Sequence, residues 1–195
     1  MPWLALGPRE RRFAAQSNAF LTQRDMPPQL PWLEPEDPLP DPSTAWGGDS
    51  PAPGLLAAGG ALGVPQLRAA YAQGTFPWFS AGQPILWWAP DPRMVLKVAE
   101  FRLHRSLRKT LNRFRADAAC EIRIDSAFDQ VIRSCSSAAR EGQNGTWIVP
   151  AMVAAYEALH TQGTADSAEP WGDVTRAGGM WGVAIGHAVF GESTF

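Results

Sequence analysis

The stretch FPWFSAGQPILWWAPDPR, from Phe76 to Arg93, holds five aromatic residues, four prolines and one glycine in eighteen positions. Each proline removes a backbone donor and fixes φ, so regular strand pairing through this stretch is disfavoured and the sequence predicts turns and irregular chain. Irregular chain usually runs over the surface, where large apolar rings persist only if something packs on them. The rings therefore imply a cover, either a second unit of the fold or a ligand.

The chain is large enough to supply such a unit. With 195 residues, 45% of them hydrophobic and 18% charged, it belongs to the globular class and has room for one sizeable core or two small ones. No apolar run approaches the ~20 residues needed to span a bilayer, and no basic segment precedes an unbroken apolar one, so the sequence reads as cytoplasmic, with no membrane partner. Cys120 and Cys135 lie apart, without a Cys-x-x-Cys spacing or neighbouring histidines. Neither a zinc site nor a disulfide framework is indicated, and both read as buried small apolar residues.

The net charge of −2 hides an asymmetry. Glu34, Glu36, Asp37, Asp41 and Asp49 make an acidic, proline-rich approach, whereas Arg102, Arg105, Arg108, Lys109, Arg113 and Arg115 form a basic block with no acid between Glu100 and Asp117. Residues 1–28 show no sustained period and read as a flexible extension. Proline-dense chain follows to about Pro53. A helix is predicted from about Pro65 to Gln73, with Leu67, Ala70 and Tyr71 on one face. MVLKV, from Met94 to Val98, is a strand candidate. HRSLRKTLNRFR is a helix candidate with Leu107, Leu111 and Phe114 on the face that packs and the basic residues opposite. EIRI reads as a strand, and SAFDQVIRSCSSAAR as a helix opened by Ser126 with Asp129 three residues on, its core face being Phe128, Val131, Ile132 and Cys135. Pro150 opens a further helix through Met152, Val153, Tyr156, Leu159 and His160. MWGVAI and AVFGE close the pattern as a hairpin about Gly186-His187. The sum is an α/β (α+β) arrangement with an irregular front.

Familiar catalytic signatures are missing. There is no Gly-x-Ser-x-Gly elbow, P-loop or dinucleotide fingerprint, and His104, His160 and His187 are far apart in sequence and read as structural or solvated. The basic helix face is a better lead. It reads either as a solvated face or, lacking acids to pair with, as a surface for phosphates. Trp78, Trp87, Trp88 and Trp147 read either as glue between two units or as platforms for nucleobases, at ~1–3 kcal/mol per stacked base. Together these features favour RNA over DNA, because unpaired RNA ends are recognised by stacking.

The run GLLAAGGALGVPQLRAAYAQGTFPWFSAGQPILWWAPDPRMVL closely resembles the front of the leucyl/phenylalanyl-tRNA–protein transferases. LPWLEPEDPLP, HRSLRKTL, NGTWIVPAM and GESTF continue the match in order, from about Leu30 to Phe195. The resemblance implies a small N-terminal domain (residues 29–91), then an acetyltransferase-like (GNAT-like) domain (residues 92–195). It also implies transfer of leucine or phenylalanine from its aminoacyl-tRNA to the N-terminal lysine or arginine of an acceptor protein, marking that protein for N-end-rule degradation. No metal or organic cofactor is implied, and a monomer is expected. Residue by residue, Trp78 of FPWF and Trp147 of GTWI match the tryptophans that hold the 3′ aminoacyl-adenosine, and Glu192 of GES matches their acidic partner. Met180 matches a wall of the amino-acid pocket, and Arg105, Arg108, Lys109 and Arg113 fall on the basic helix expected to grip tRNA. Trp87 and Trp88 are expected to pack the two domains together.

The sequence also departs from the family. The family pattern continues past GES-x-F, and its Asp-x-Gln segment for substrate positioning and proton handling lies in that part, so the second domain reads as truncated and the catalytic residues are not assigned. Asp166 stands where the family has histidine, and Pro170 falls inside a presumed strand, where it is expected to remove a ladder bond. Two alternative readings follow: a non-catalytic tRNA-binding remnant, and an acyl-CoA-dependent acetyltransferase. The latter is disfavoured because the chain lacks an Arg/Gln-x-x-Gly-x-Gly/Ala pyrophosphate loop.

Overall fold

A computed structural model of the chain describes residues 29–138 and 146–195. The extension expected over residues 1–28 lies outside the described residues. The architecture is mixed α/β, built on two sheets.

The first sheet has the order β1-β2-β4-β3. Its strands are β1 (Trp32–Leu33), β2 (Leu55–Gly59), β3 (Phe76–Pro77) and β4 (Leu86–Trp88), with helix α1 (Val64–Ala72) between β2 and β3. The aromatic stretch is thus less irregular than its prolines predict. Pro77 is accommodated because β3 is the outer strand, and only Phe76 and Pro77 pair with Trp88 and Trp87 of β4. Helix α1 begins as expected, with Pro65 in its first turn, and buries Leu67, Ala70 and Tyr71.

The second sheet has the order β5-β6-β8-β9, with β7 paired to β6. Its strands are β5 (Cys120–Ile124), β6 (Ala165–Gly172), β7 (Thr175–Arg176), β8 (Met180–Ile185) and β9 (Ala188–Thr194). Helices α3 (Phe128–Ser137) and α4 (Pro150–Thr161) cover one face, and α2 (Arg105–Ala116) precedes β5. The alternating burial of β6 turns Ala165, Ser167 and Glu169 inward. Phe128, Val131, Ile132 and Cys135 of α3 meet them as predicted, as do Met152, Tyr156 and Leu159 of α4. One apolar core runs through both sheets, from Leu56, Leu67 and Trp87 to Ile132, Met152 and Trp181.

Several sequence expectations are corrected. Met94–Val98 forms no strand: Met94 is 98% exposed, and the segment ends in a short 3-10 turn at Val98–Glu100. Among the described residues it has no neighbouring strand to pair with, and an apolar run without one gains nothing from extending. Helix α2 forms, but none of its residues is buried. Leu107 is 45% exposed, and the helix packs chiefly on β5. Ser126 does not cap α3. Its hydroxyl donates instead to Glu169 Oε2 at 2.6 Å, and Ala127 takes the cap position without a side-chain bond. Pro170 removes no bond to β5. Its carbonyl accepts from Ala177 N at 2.9 Å, on the side away from Ile122, so its missing donor faces the gap between β8 and β7. Cys135 is buried as expected, but Cys120 is only half-buried at the start of β5.

Candidate functional site

The site grows from an irregularity in the last hairpin. Gly186 adopts a positive φ of 57° at the turn, and β8 and β9 then pair from Ile185–Ala188 to Gly182–Gly191. The next pair is Trp181 with Ser193, so Glu192 is the extra residue of a β-bulge. Bulges re-aim side chains and are frequent beside active sites. Gly182 makes room for it, because a Cβ there would sit 2.5 Å from the Phe190 carbonyl oxygen.

The bulge presents Glu192 to α1 and α4. Tyr71 Oη donates to Glu192 Oε1 at 2.8 Å, and the Tyr71 and Tyr156 hydroxyls are 2.6 Å apart. With its proton committed to Glu192, Tyr71 accepts from Tyr156. Burial holds both phenols well above their usual range, so they stay neutral donors. Burial also pushes the Glu192 carboxyl up to about 7, opposed by the Tyr71 hydrogen bond and by the charge of Arg93. Below its ordinary value of 4.5 the carboxyl is protonated in folded and unfolded chains alike. Between there and about 7 only the unfolded chain loses the proton. Stability therefore falls as pH rises through this window, by at most on the order of 3 kcal/mol, and by less to the extent that solvent reaches the carboxyl. Glu192→Gln should remove this part of the pH slope. Urea midpoints for wild type and variant at both ends of the window check it, and parallel slopes would contradict it.

Aromatic contacts connect this carboxyl to Trp147. The Tyr156 ring lies 4.7 Å from that of buried Trp181, which in turn backs Trp147 at 6.2 Å. Met180, next along β8, is 45% exposed. On the first sheet Trp78 is 41% exposed and meets Trp88 edge-on at 5.6 Å. The Trp88 Nε1–H donates to the Trp78 carbonyl at 2.7 Å and holds the loop that presents the exposed ring. Trp87 is fully buried within the first sheet, with Nε1–H donating to Gly59 O at 3.0 Å. The ring contacts from α1 to α4 and β9 are those of Tyr71 with Tyr156 and Phe190, and Trp87 belongs to the apolar core that runs through both sheets.

The basic residues stand apart. Arg105, Arg108, Lys109 and Arg113 are all exposed on α2, and no ion pair involves them among the described residues. His160 has a structural place, stacked on Phe128 at 4.2 Å with Nδ1 2.7 Å from Ala165 O. A cavity of about 300 Å³ beside it, lined by residues including Asp125, Asp129 and Glu157, shares no residue with the Glu192 cluster. Among the described residues no group of three or more His, Cys, Asp or Glu is arranged to hold a metal, and no helix is long and apolar enough to cross a membrane.

Sequence reasoning placed Tyr71 and Tyr156 on core faces without seeing that they converge on Glu192. The available signal was chemical: a buried tyrosine needs a partner for its hydroxyl. Arg93 and the bulge had no such signal, because both depend on register.

Two family models match. Residues 60–91 match the leucyl/phenylalanyl-tRNA protein transferase N-terminal domain, and residues 95–195 match the leucyl/phenylalanyl-tRNA protein transferase model, about half of the chain. The chain belongs to this family. It is 60% identical over 169 residues to the leucyl/phenylalanyl-tRNA–protein transferase of Albidiferax ferrireducens, covering 87% of this chain and 66% of that relative. Those of a Polaromonas species and of Leptothrix cholodnii are 56% and 58% identical over 170 residues each, covering 87% and 85% of this chain and 67% and 66% of theirs. The chain thus spans about two thirds of the length of these relatives.

Proposed function

We propose that the chain serves aminoacyl transfer, from leucyl-tRNA or phenylalanyl-tRNA to the N-terminal lysine or arginine of acceptor proteins, as in the N-end-rule marking of proteins for degradation in the cytoplasm. The observation that carries this reading is the bulged Glu192, hydrogen-bonded to Tyr71 and joined through Tyr156 and Trp181 to the half-buried ring of Trp147. In this reading Trp78 and Trp147 hold the 3′-adenosine, Glu192 faces the aminoacyl group, and Met180 forms a wall for its side chain. Arg105, Arg108, Lys109 and Arg113 contact the tRNA backbone. The division into units 29–91 and 92–195 is part of the same proposal. DNA and a membrane have no place in it, and the chain acts as a monomer.

The chemistry asks little of the protein. An aminoacyl ester is already activated, so the main tasks are to align an N-terminal amine with the ester carbonyl and to assist loss of its proton. No covalent intermediate is needed. A large apolar side chain gains roughly 1.5–3 kcal/mol from burial, enough to favour leucine and phenylalanine over small residues.

Transfer of radiolabelled leucine from leucyl-tRNA to a protein beginning with arginine tests the proposal. Acid-insoluble counts above a no-enzyme control, lost when the acceptor begins with glycine, are expected. Folded chain that binds leucyl-tRNA but yields no counts would favour a non-catalytic tRNA-binding role.

A further inference from the structure

Arg93 lies outside every role assigned so far. It follows the aromatic loop, yet its side chain reaches into the junction of the two sheets. Its Nη1 donates to the Gly74 carbonyl at 2.8 Å, and its guanidinium carbon lies 4.7 Å from the Phe76 ring centre and 5.2 Å from that of Phe190. One side chain therefore touches three elements: the turn that closes α1, strand β3 of the first sheet and strand β9 of the second. The closing turn of α1 carries Tyr71, whose backbone carbonyl accepts from Gly74 N at 3.1 Å. Phe190 packs edge-on against the Tyr71 ring at 5.0 Å and lies two residues before Glu192.

The contacts of Arg93 thus enclose the Tyr71–Glu192 pair. Cation–ring contacts are an ordinary way to settle an arginine, worth roughly 0.5–1 kcal/mol at exposed sites. They do not explain why a rigid positive charge stands here. Among the described residues no carboxylate lies within ion-pair distance of Arg93, and its only hydrogen bond is to Gly74. The ionisable groups acting on Glu192 are Tyr71 from α1, Tyr156 from α4 and Arg93. Both tyrosines are neutral, so Arg93 is the one fixed charge of the three.

We propose that Arg93 is a positioning residue of the aminoacyl site: it clamps β9 and the end of α1 around Glu192, and its charge favours the ionised form of that carboxyl, against burial, as the partner of a primary ammonium group, the amine of an aminoacyl ester or of an acceptor N-terminus. This deepens the aminoacyl-transfer reading and rests on it only for the identity of the ammonium. The guanidinium acts through Glu192 and touches no substrate.

The full chain, labelled with ¹³C at glutamate carboxyls, allows the titration of Glu192 to be followed by NMR, its signal assigned by loss in Glu192→Gln. In Arg93→Gln the midpoint should move upward by on the order of 0.5–1 unit. Arg93→Lys, which keeps the charge, should stay closer to wild type. An unmoved midpoint in Arg93→Gln, or equal movement in the two variants, would overturn the electrostatic role. Should Arg93→Gln fail to fold, the wild type decides alone. Raising salt from about 0.01 M to about 1 M screens an exposed guanidinium and should raise the midpoint, and a midpoint indifferent to salt would overturn the proposal. Binding of a non-hydrolysable leucyl-adenosine amide, measured separately, keeps the two readings distinct. If wild type fails to bind it, the aminoacyl reading fails while the titration still judges Arg93.

Discussion

Trp181→Ala should lower the unfolding free energy by about 3–5 kcal/mol, the range for removing a large aromatic from a packed core. Against a total of roughly 5–15 kcal/mol for an ordinary domain, this approaches the threshold of folding. Trp181 is 1% exposed and contacts the rings of Phe128 at 6.1 Å, Tyr156 at 4.7 Å and Trp147 at 6.2 Å. Little of that space can be refilled, because the neighbours are held from three directions by α3, α4 and the segment before it. Trp181→Phe should lose far less than the missing ring alone suggests. The Trp181 Nε1–H is buried without a hydrogen-bond partner among the described residues, and removing an orphaned donor offsets part of the lost packing. Guanidinium denaturation of both variants checks this, and equal losses for alanine and phenylalanine would contradict it.

The second large effect concerns affinity. Replacing Arg105, Lys109 and Arg113 together with glutamine should leave stability nearly unchanged, since all three are exposed on a helix that buries nothing. Affinity for tRNA should fall. Each phosphate contact adds about 0.7–0.9 to the slope of log K against log salt, so three lost contacts flatten the slope by about 2–2.7 and weaken binding on the order of 10²–10³-fold near 0.1 M salt. Near 1 M salt the difference should nearly vanish. Filter binding across a salt series reads both quantities. An unchanged slope would return α2 to a solvated charged surface.

Helices α3 and α4 and the closing hairpin of the second sheet were legible because their signals are local. Pro150 announces a helix start, Phe128, Val131, Ile132 and Cys135 repeat at helical spacing, and Gly186 marks a hairpin. The errors came where tertiary partners decide. Met94–Val98 has an apolar composition suited to a strand but no neighbouring strand among the described residues, so it lies exposed. Ser126 has a capping residue's chemistry but found a stronger acceptor in Glu169 on β6. Pro170 looked incompatible with a strand interior until the register showed which side its nitrogen faces.

The candidate site divides in the same way. Trp78, Trp147, Glu192 and Met180 were named from motifs, and the aromatic loop that first demanded an explanation proves to be sorted by burial. Phe79 and Trp87 fill the core, Trp88 braces, and Trp78 stays exposed. The hydrogen-bonded chain from Tyr156 through Tyr71 to Glu192 joins residues up to 121 positions apart, and it depends on a one-residue bulge. No periodicity in sequence encodes that.

The central claim is that this chain recognises the aminoacyl end of a charged tRNA. Its most direct test is the affinity of the chain for leucyl-tRNA compared with the same tRNA after deacylation, at one fixed salt concentration. Burial of the leucine side chain predicts tighter binding of the charged form by roughly 1.5–3 kcal/mol, on the order of 10–100-fold. Equal affinity for charged and uncharged tRNA would mean that the chain binds only the tRNA backbone, and the assignment of Trp78, Trp147, Met180 and Glu192 to the aminoacyl end would be wrong.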